Sequence, residues 1–137
     1  MRPTAAGLAA LLFCAGPALA ADGPEGRYLI DVQGTYQAML AANVAKPDSL
    51  EILTQQREIM ALVFKDDTLT FVTGPKLGNA VKGSCHWTLS GDALNFERCR
   101  ASNGGSFAVD GVVLYDAGSG AVIIQGNAPV PIRYLAE

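Results

Sequence analysis

The stretch Ile59-Met60-Ala61-Leu62-Val63-Phe64-Lys65-Asp66-Asp67-Thr68-Leu69-Thr70-Phe71 decides the fold of this chain. Met60, Leu62 and Phe64 alternate with Ala61, Val63 and Lys65; beyond Asp66-Asp67, Leu69 and Phe71 alternate with Thr68 and Thr70. A period of two sends successive side chains to opposite faces of a strand. A two-residue turn at Asp66-Asp67 then pairs Phe64 with Leu69 and Leu62 with Phe71, placing the large side chains on one face.

Downstream the same grammar repeats. After a loop containing Gly74-Pro75 and Gly78-Asn79, Val81 to Ser90 and Ala93 to Arg100 form a second hairpin with Gly91-Asp92 at its tip, setting Leu89 against Leu94 and Trp87 against Phe96. The loop Ser102-Asn103-Gly104-Gly105 precedes a strand from Phe107 to Tyr115. Gly118-Ser119-Gly120 turns the chain, Ala121 to Gln125 returns it, and Ile132 to Leu135 is the last strand. Asn127, Pro129 and Pro131 occupy the connection before it, where the missing proline N–H costs least.

Upstream, Tyr28 to Val32 is extended, and after Gly34 the pattern turns helical. Thr35 reads as the cap; Tyr36, Met39, Leu40 and Val44 share one face; Pro47 ends that helix or begins the next. A second helix starts at Asp48 or Ser49 and turns Leu50, Ile52 and Leu53 inward. The expected fold is therefore α+β: about eight strands in an antiparallel meander that forms a small barrel or curled sheet, with a helical hairpin after the first strand.

The first twenty residues carry a different signal. Arg2, the apolar run from Ala5 to Ala15 and the small-residue triplet Ala18-Leu19-Ala20 read as a cleavable export signal over residues 1–20, leaving a single domain over 21–137. Gly16-Pro17 interrupts the run well short of the roughly 20 apolar residues that span a bilayer, so no transmembrane segment is expected. Lipid attachment at Cys14 is the weaker alternative, because bulky Phe13 precedes it. Export to the periplasm or beyond leaves Cys85 and Cys99 where a pair closes as a disulfide. A regular ladder sets Cys85 opposite Arg98, so the bridge requires a one-residue slip: a β-bulge between Glu97 and Cys99, or a three-residue turn at the tip.

Of the 10 Lys+Arg only Arg2 falls in the signal, so the mature domain carries nine against 13 Asp+Glu and is mildly acidic. Its positive residues are dispersed apart from Arg98 and Arg100, which argues against a nucleic-acid partner. The single histidine, His86, removes most hydrolase templates, and no Gly-x-Ser-x-Gly elbow occurs. Cys85 adjoins His86, but neighbours on a strand face opposite ways and an oxidised cysteine is no nucleophile. No Cys-x-x-Cys or His-x-x-x-His spacing suggests a metal, and no glycine-rich motif suggests a phosphate cofactor. Asp66-Asp67 reads as a turn former.

Gly26-Arg27-Tyr28 on the first strand and Arg133 on the last resemble the Gly-x-Trp opening and the late arginine of lipocalins, with Tyr28 in the tryptophan's place. The resemblance covers only the two ends of the chain. It implies a small exported lipocalin-like barrel in which Tyr28 and Arg133 form a structural closure.

These features point to a non-catalytic binding module. One version holds a small apolar ligand in a pocket lined by Leu62, Phe64, Phe71, Trp87 and Phe107, with Tyr36, Met39 and Leu40 as a lid. Another has a filled barrel and meets a second envelope protein, as an inhibitor or accessory subunit, through Thr73 to Lys82 and Ala101 to Ser106. An enzyme is the third version and needs Asp31 clustered with Asp66, Asp67 or Asp110.

Overall fold

A computed structural model describes residues 23–137. The export signal expected over residues 1–20, and Cys14 within it, lie outside the described residues. Eight strands follow one another around a closed antiparallel barrel: β1 (Gly26–Ile30), β2 (Ala61–Lys65), β3 (Thr68–Val72), β4 (Val81–Ser90), β5 (Ala93–Ala101), β6 (Val112–Asp116), β7 (Ala121–Gln125) and β8 (Ile132–Ala136). β8 pairs back on β1, with Tyr28 opposite Ala136 and Ile30 opposite Tyr134.

The first hairpin has the register its alternation dictates, Phe64 opposite Leu69 and Leu62 opposite Phe71. Asp66 takes φ 54°, a left-handed turn conformation that Asp tolerates better than most residues. In the second hairpin Leu89 faces Leu94 and Trp87 faces Phe96, and Ser90 opposite Ala93 keeps the tip at two residues. Further along, His86 lies opposite Glu97 but Ser84 opposite Arg100, so Arg98 is extra and adopts φ 54°. This β-bulge brings the Cα atoms of Cys85 and Cys99 to 4.0 Å, and the two residues are disulfide-bonded.

The alternation fills the lumen. Tyr28, Ile30, Leu62, Phe64, Leu69, Leu94, Val113, Val122 and Tyr134 form one buried cluster. Phe64 is edge-on to Tyr28 at 5.4 Å and to Trp87 at 5.9 Å, the geometry that aromatic quadrupoles favour. A smaller buried cluster of Leu29, Ala61 and Val72 uses the alternate, outward positions of β1, β2 and β3. The helices α1 (Val32–Ala41) and α2 (Ser49–Ile59) pack against each other, α1 against β8 and α2 against β1. The helical pair therefore lies along the outer wall, while Val32, at the start of α1, packs against the interior cluster.

Several local expectations need correction. Asp31, not Thr35, caps α1: its Oδ1 accepts the Gly34 N–H at 2.9 Å, and a Cβ on residue 34 would stand 2.1 Å from Asp31 Oδ2. Val32 is consequently helical. Thr35 is buried, and its Oγ1 accepts the Arg133 N–H. α1 stops at Ala41, short of Pro47, with Asn43 at φ 60° turning the chain. On α2 only Leu53 of the three expected apolar residues is buried, because Leu50 and Ile52 fall on its exposed side. β6 begins at Val112, not Phe107. Gly111, at φ 87°, sits against Gln125 O, and the chain before it leaves the ladder after a lone Arg100–Ser106 bridge. Arg133 pairs with Asp31, Nε to Oδ2 3.3 Å, whereas Tyr28 packs on Phe64; the closure implied for Tyr28 and Arg133 is thus divided between two other partnerships.

Candidate functional site

The strand register gives the barrel two unlike ends. One carries the tips Asp66-Asp67 and Gly91-Asp92, the turn before Ala121, the start of β1 and the end of β8. Gly23 lies against the Trp87 ring there, so closely that a Cβ would stand 2.5 Å from a ring carbon. Trp87 Nε1 is buried without a hydrogen-bond partner among the described residues. The opposite end carries the end of β1, the start of β2 and β4, the end of β5 and the segment before β6.

Between these ends lies a small lumen void of about 20 Å³, lined by Leu62, Phe64, Leu69, Phe71 and their neighbours. That is room for about one water molecule. The larger space is a groove of about 410 Å³ at the second end, formed by Met60, Phe71, Gly83, Ala101, Phe107, Ala108 and Val109, with Lys82 at its margin. Phe71 and Phe107 stand edge to face at 5.9 Å and supply its aromatic wall. Gly83 keeps the floor bare, since a Cβ there would lie 3.1 Å from the Phe107 ring and 2.9 Å from Arg100 O.

Register places Lys82. Val72 lies opposite Val81 and Phe71 opposite Gly83, which leaves Lys82 as the extra residue of a second bulge. A bulge re-aims the side chain it carries. Among the described residues no carboxylate lies within ion-pair distance of Lys82, whereas nearby Lys76 is held by Glu58 at 3.1 Å.

A second cavity, about 240 Å³, opens between the helices and the β7–β8 connection, with Met39, Val44, Ile52, Leu53, Pro129 and Val130 among its walls. The residues expected to hold a ligand are therefore distributed. Leu62 and Phe64 are buried in the lumen and Trp87 packs against them; Phe71 and Phe107 meet in the groove; Met39 lines the helical cavity; Tyr36 is half-buried on α1; Leu40 is 47% exposed. Neither cavity brings Tyr36, Met39 or Leu40 together with Leu62, Phe64, Phe71, Trp87 or Phe107. Met60, Lys82 and Gly83 were not legible as a site, because only the β2–β3–β4 register brings them beside Phe107.

The carboxylates are split between the ends. Asp31 follows β1 and Asp110 precedes β6 at the groove end, while Asp66 and Asp67 sit on the opposite tip. Pairing of Thr68 with His86 carries Asp67 to the imidazole, Oδ2 to Nδ1 3.3 Å, on a half-buried outer wall. That pair has the form of an oriented base, and among the described residues no hydroxyl is hydrogen-bonded to the other ring nitrogen. No group of three or more His, Cys, Asp or Glu that could hold a metal ion occurs among the described residues. Asp116 is held below the usual carboxylate range by the Ser119 hydroxyl and the Gly118 N–H, an exposed turn arrangement. No described helix is long and apolar enough to cross a membrane.

No protein family, curated protein or solved structure matches the chain. The eight-stranded antiparallel closure is compatible with a lipocalin-like barrel, and the disulfide is compatible with an oxidising compartment outside the cytoplasm.

Proposed function

We propose that the protein is an exported, non-catalytic binding module, periplasmic or secreted, that holds a small apolar ligand at the open end of its barrel and not in the lumen. The observation that carries this reading is the contrast between the lumen, with a void of about 20 Å³, and the groove, with about 410 Å³. Pockets for small molecules fall in the range of roughly 300–1,000 Å³ and are mostly apolar with few polar groups. The groove fits that description, with two aromatic rings, Met60 and Val109 as its body and one charged side chain at its margin.

Native mass spectrometry of the protein purified from its own host's envelope fraction tests the proposal. The expected result is a small adduct that leaves on denaturation and is absent from Ala108→Trp, which fills the groove from an exposed position. A bare chain in both overturns it.

A second reading, a protein-interaction module with a filled barrel, is favoured by the apolar residues exposed on the same end. Leu77 is 56% exposed and Val81 55%, both within the segment Thr73 to Lys82, and Phe107, 36% exposed, directly follows the segment Ala101 to Ser106. Affinity capture that retains one envelope protein and is lost in Leu77→Ser/Val81→Ser supports this version.

A further inference from the structure

We propose that the groove ligand is a single-chain anionic amphiphile, a free fatty-acid-like molecule whose carboxylate meets Lys82 while its alkyl chain lies across Phe71 and Phe107. The inference rests on the groove reading above and adds the ligand's charge and shape.

Three observations converge on it. The groove wall is apolar, from Met60 and Phe71 to Phe107 and Val109, which suits a hydrocarbon chain and offers no hydrogen-bonding pattern for a sugar or a peptide backbone. Lys82 is the charged side chain among the lining residues, and no carboxylate of the described chain neutralises it. Finally, the β4 bulge falls at that residue: Val81 and Gly83 take the partners on β3, which leaves Lys82 unpaired on that side while its carbonyl accepts the Ser102 N–H on the other, and Lys82 is among the residues that line the groove. An ammonium at the rim of an apolar trough complements an anionic head on an apolar tail, the division of labour in which Lys stems cover apolar surface and hold their charge in water.

The alternatives differ in charge. A neutral long-chain alcohol satisfies the trough but not Lys82, and a cationic amphiphile is repelled by it.

The test titrates the protein with dodecanoate, dodecyl alcohol and dodecyltrimethylammonium, each kept monomeric, and follows the backbone amide resonances of Gly83, Ala101 and Phe107. We expect dodecanoate to bind about fivefold more tightly than the alcohol, a difference typical of one partly solvated ion pair, with the cation weakest. Lys82→Gln removes the preference for the acid, so that acid and alcohol bind alike, Lys82→Arg restores the preference, and Ala108→Trp abolishes binding of all three. Unchanged far-UV circular dichroism confirms that these exposed substitutions leave the barrel intact. Equal binding of acid and alcohol overturns the anionic inference while leaving the groove reading in place. Failure of all three probes to move these resonances overturns both.

Discussion

Cys85 and Cys99 meet because Arg98 steps out of the β4–β5 ladder. Without that step a regular pairing sets Arg98 opposite Cys85 and turns Cys99 to the other face, since one residue of slip inverts every side chain beyond it. The cost falls on Arg98, an L-residue held at φ 54°. Arg98→Gly relieves a conformation that costs an ordinary residue roughly 1–2 kcal/mol, partly offset by added freedom in the unfolded chain. The expected outcome is a gain of about 1 kcal/mol in urea unfolding with the disulfide retained.

Removing the bridge itself has the opposite sign. Cys85 and Cys99 are separated by 14 positions, and closing a loop of that size restrains the unfolded chain by about 3 kcal/mol. The double substitution Cys85→Ala/Cys99→Ala should lower stability by about that amount in chemical denaturation. The hairpin tip at Gly91-Asp92 should keep its register, because Trp87 opposite Phe96 does not depend on the bridge.

Asp31 serves two structures at once. One carboxylate oxygen caps α1 through Gly34, and the other pairs with Arg133 on β8. Asp31→Ala should cost about 1–2 kcal/mol, the range for loss of an N-cap. Asp31→Asn keeps a capping oxygen and loses only a partly exposed ion pair, so its cost should stay below about 1 kcal/mol. Equal losses in thermal melts of the two variants would show that the ion pair, not the cap, fixes the helix start.

Two buried tyrosines set the alkaline limit. Burial raises the phenols of Tyr28 and Tyr134 above their ordinary value of 10.0, and neighbouring Tyr115 adds to the effect at Tyr28. A raised folded value means that the folded state holds its protons more tightly than the unfolded chain. The resulting stability is fully present below pH 10 and is lost as pH climbs from there through the folded values. Unfolding midpoints should be flat from neutral pH to about 10 and fall above it, with a shallower fall in Tyr134→Phe.

What could be seen in advance follows from how local each signal is. The register of the first hairpin was fixed by four alternating side chains and two turn-forming aspartates, all within ten residues. The bulge in β5 was legible as a necessity, because a bridge between Cys85 and Cys99 and a regular ladder could not both hold. The cap of α1 was misplaced because Gly34 looked like a break, when its missing side chain is what admits the Asp31 carboxylate. The start of β6 was misplaced because the sequence from Phe107 to Gly111 alternates acceptably, and only Gly111 at positive φ beside Gln125 shows that the chain has left the ladder. The groove was invisible for a third reason. Met60, Phe71, Lys82 and Phe107 come from four segments, and the slip of register at Lys82 is signalled by no turn residue.

The pairing of β1 with β8 also fixes how the molecule is handled. Tyr28 lies opposite Ala136, and the Glu137 N–H donates to Arg27 O, so the described chain begins and ends side by side. Both ends lie beside the Asp66-Asp67 tip, a full barrel length from Lys82 and Phe107. A tether on either terminus acts as a handle on the far side of a cup: whatever anchors the protein there leaves the rim facing outward and unobstructed.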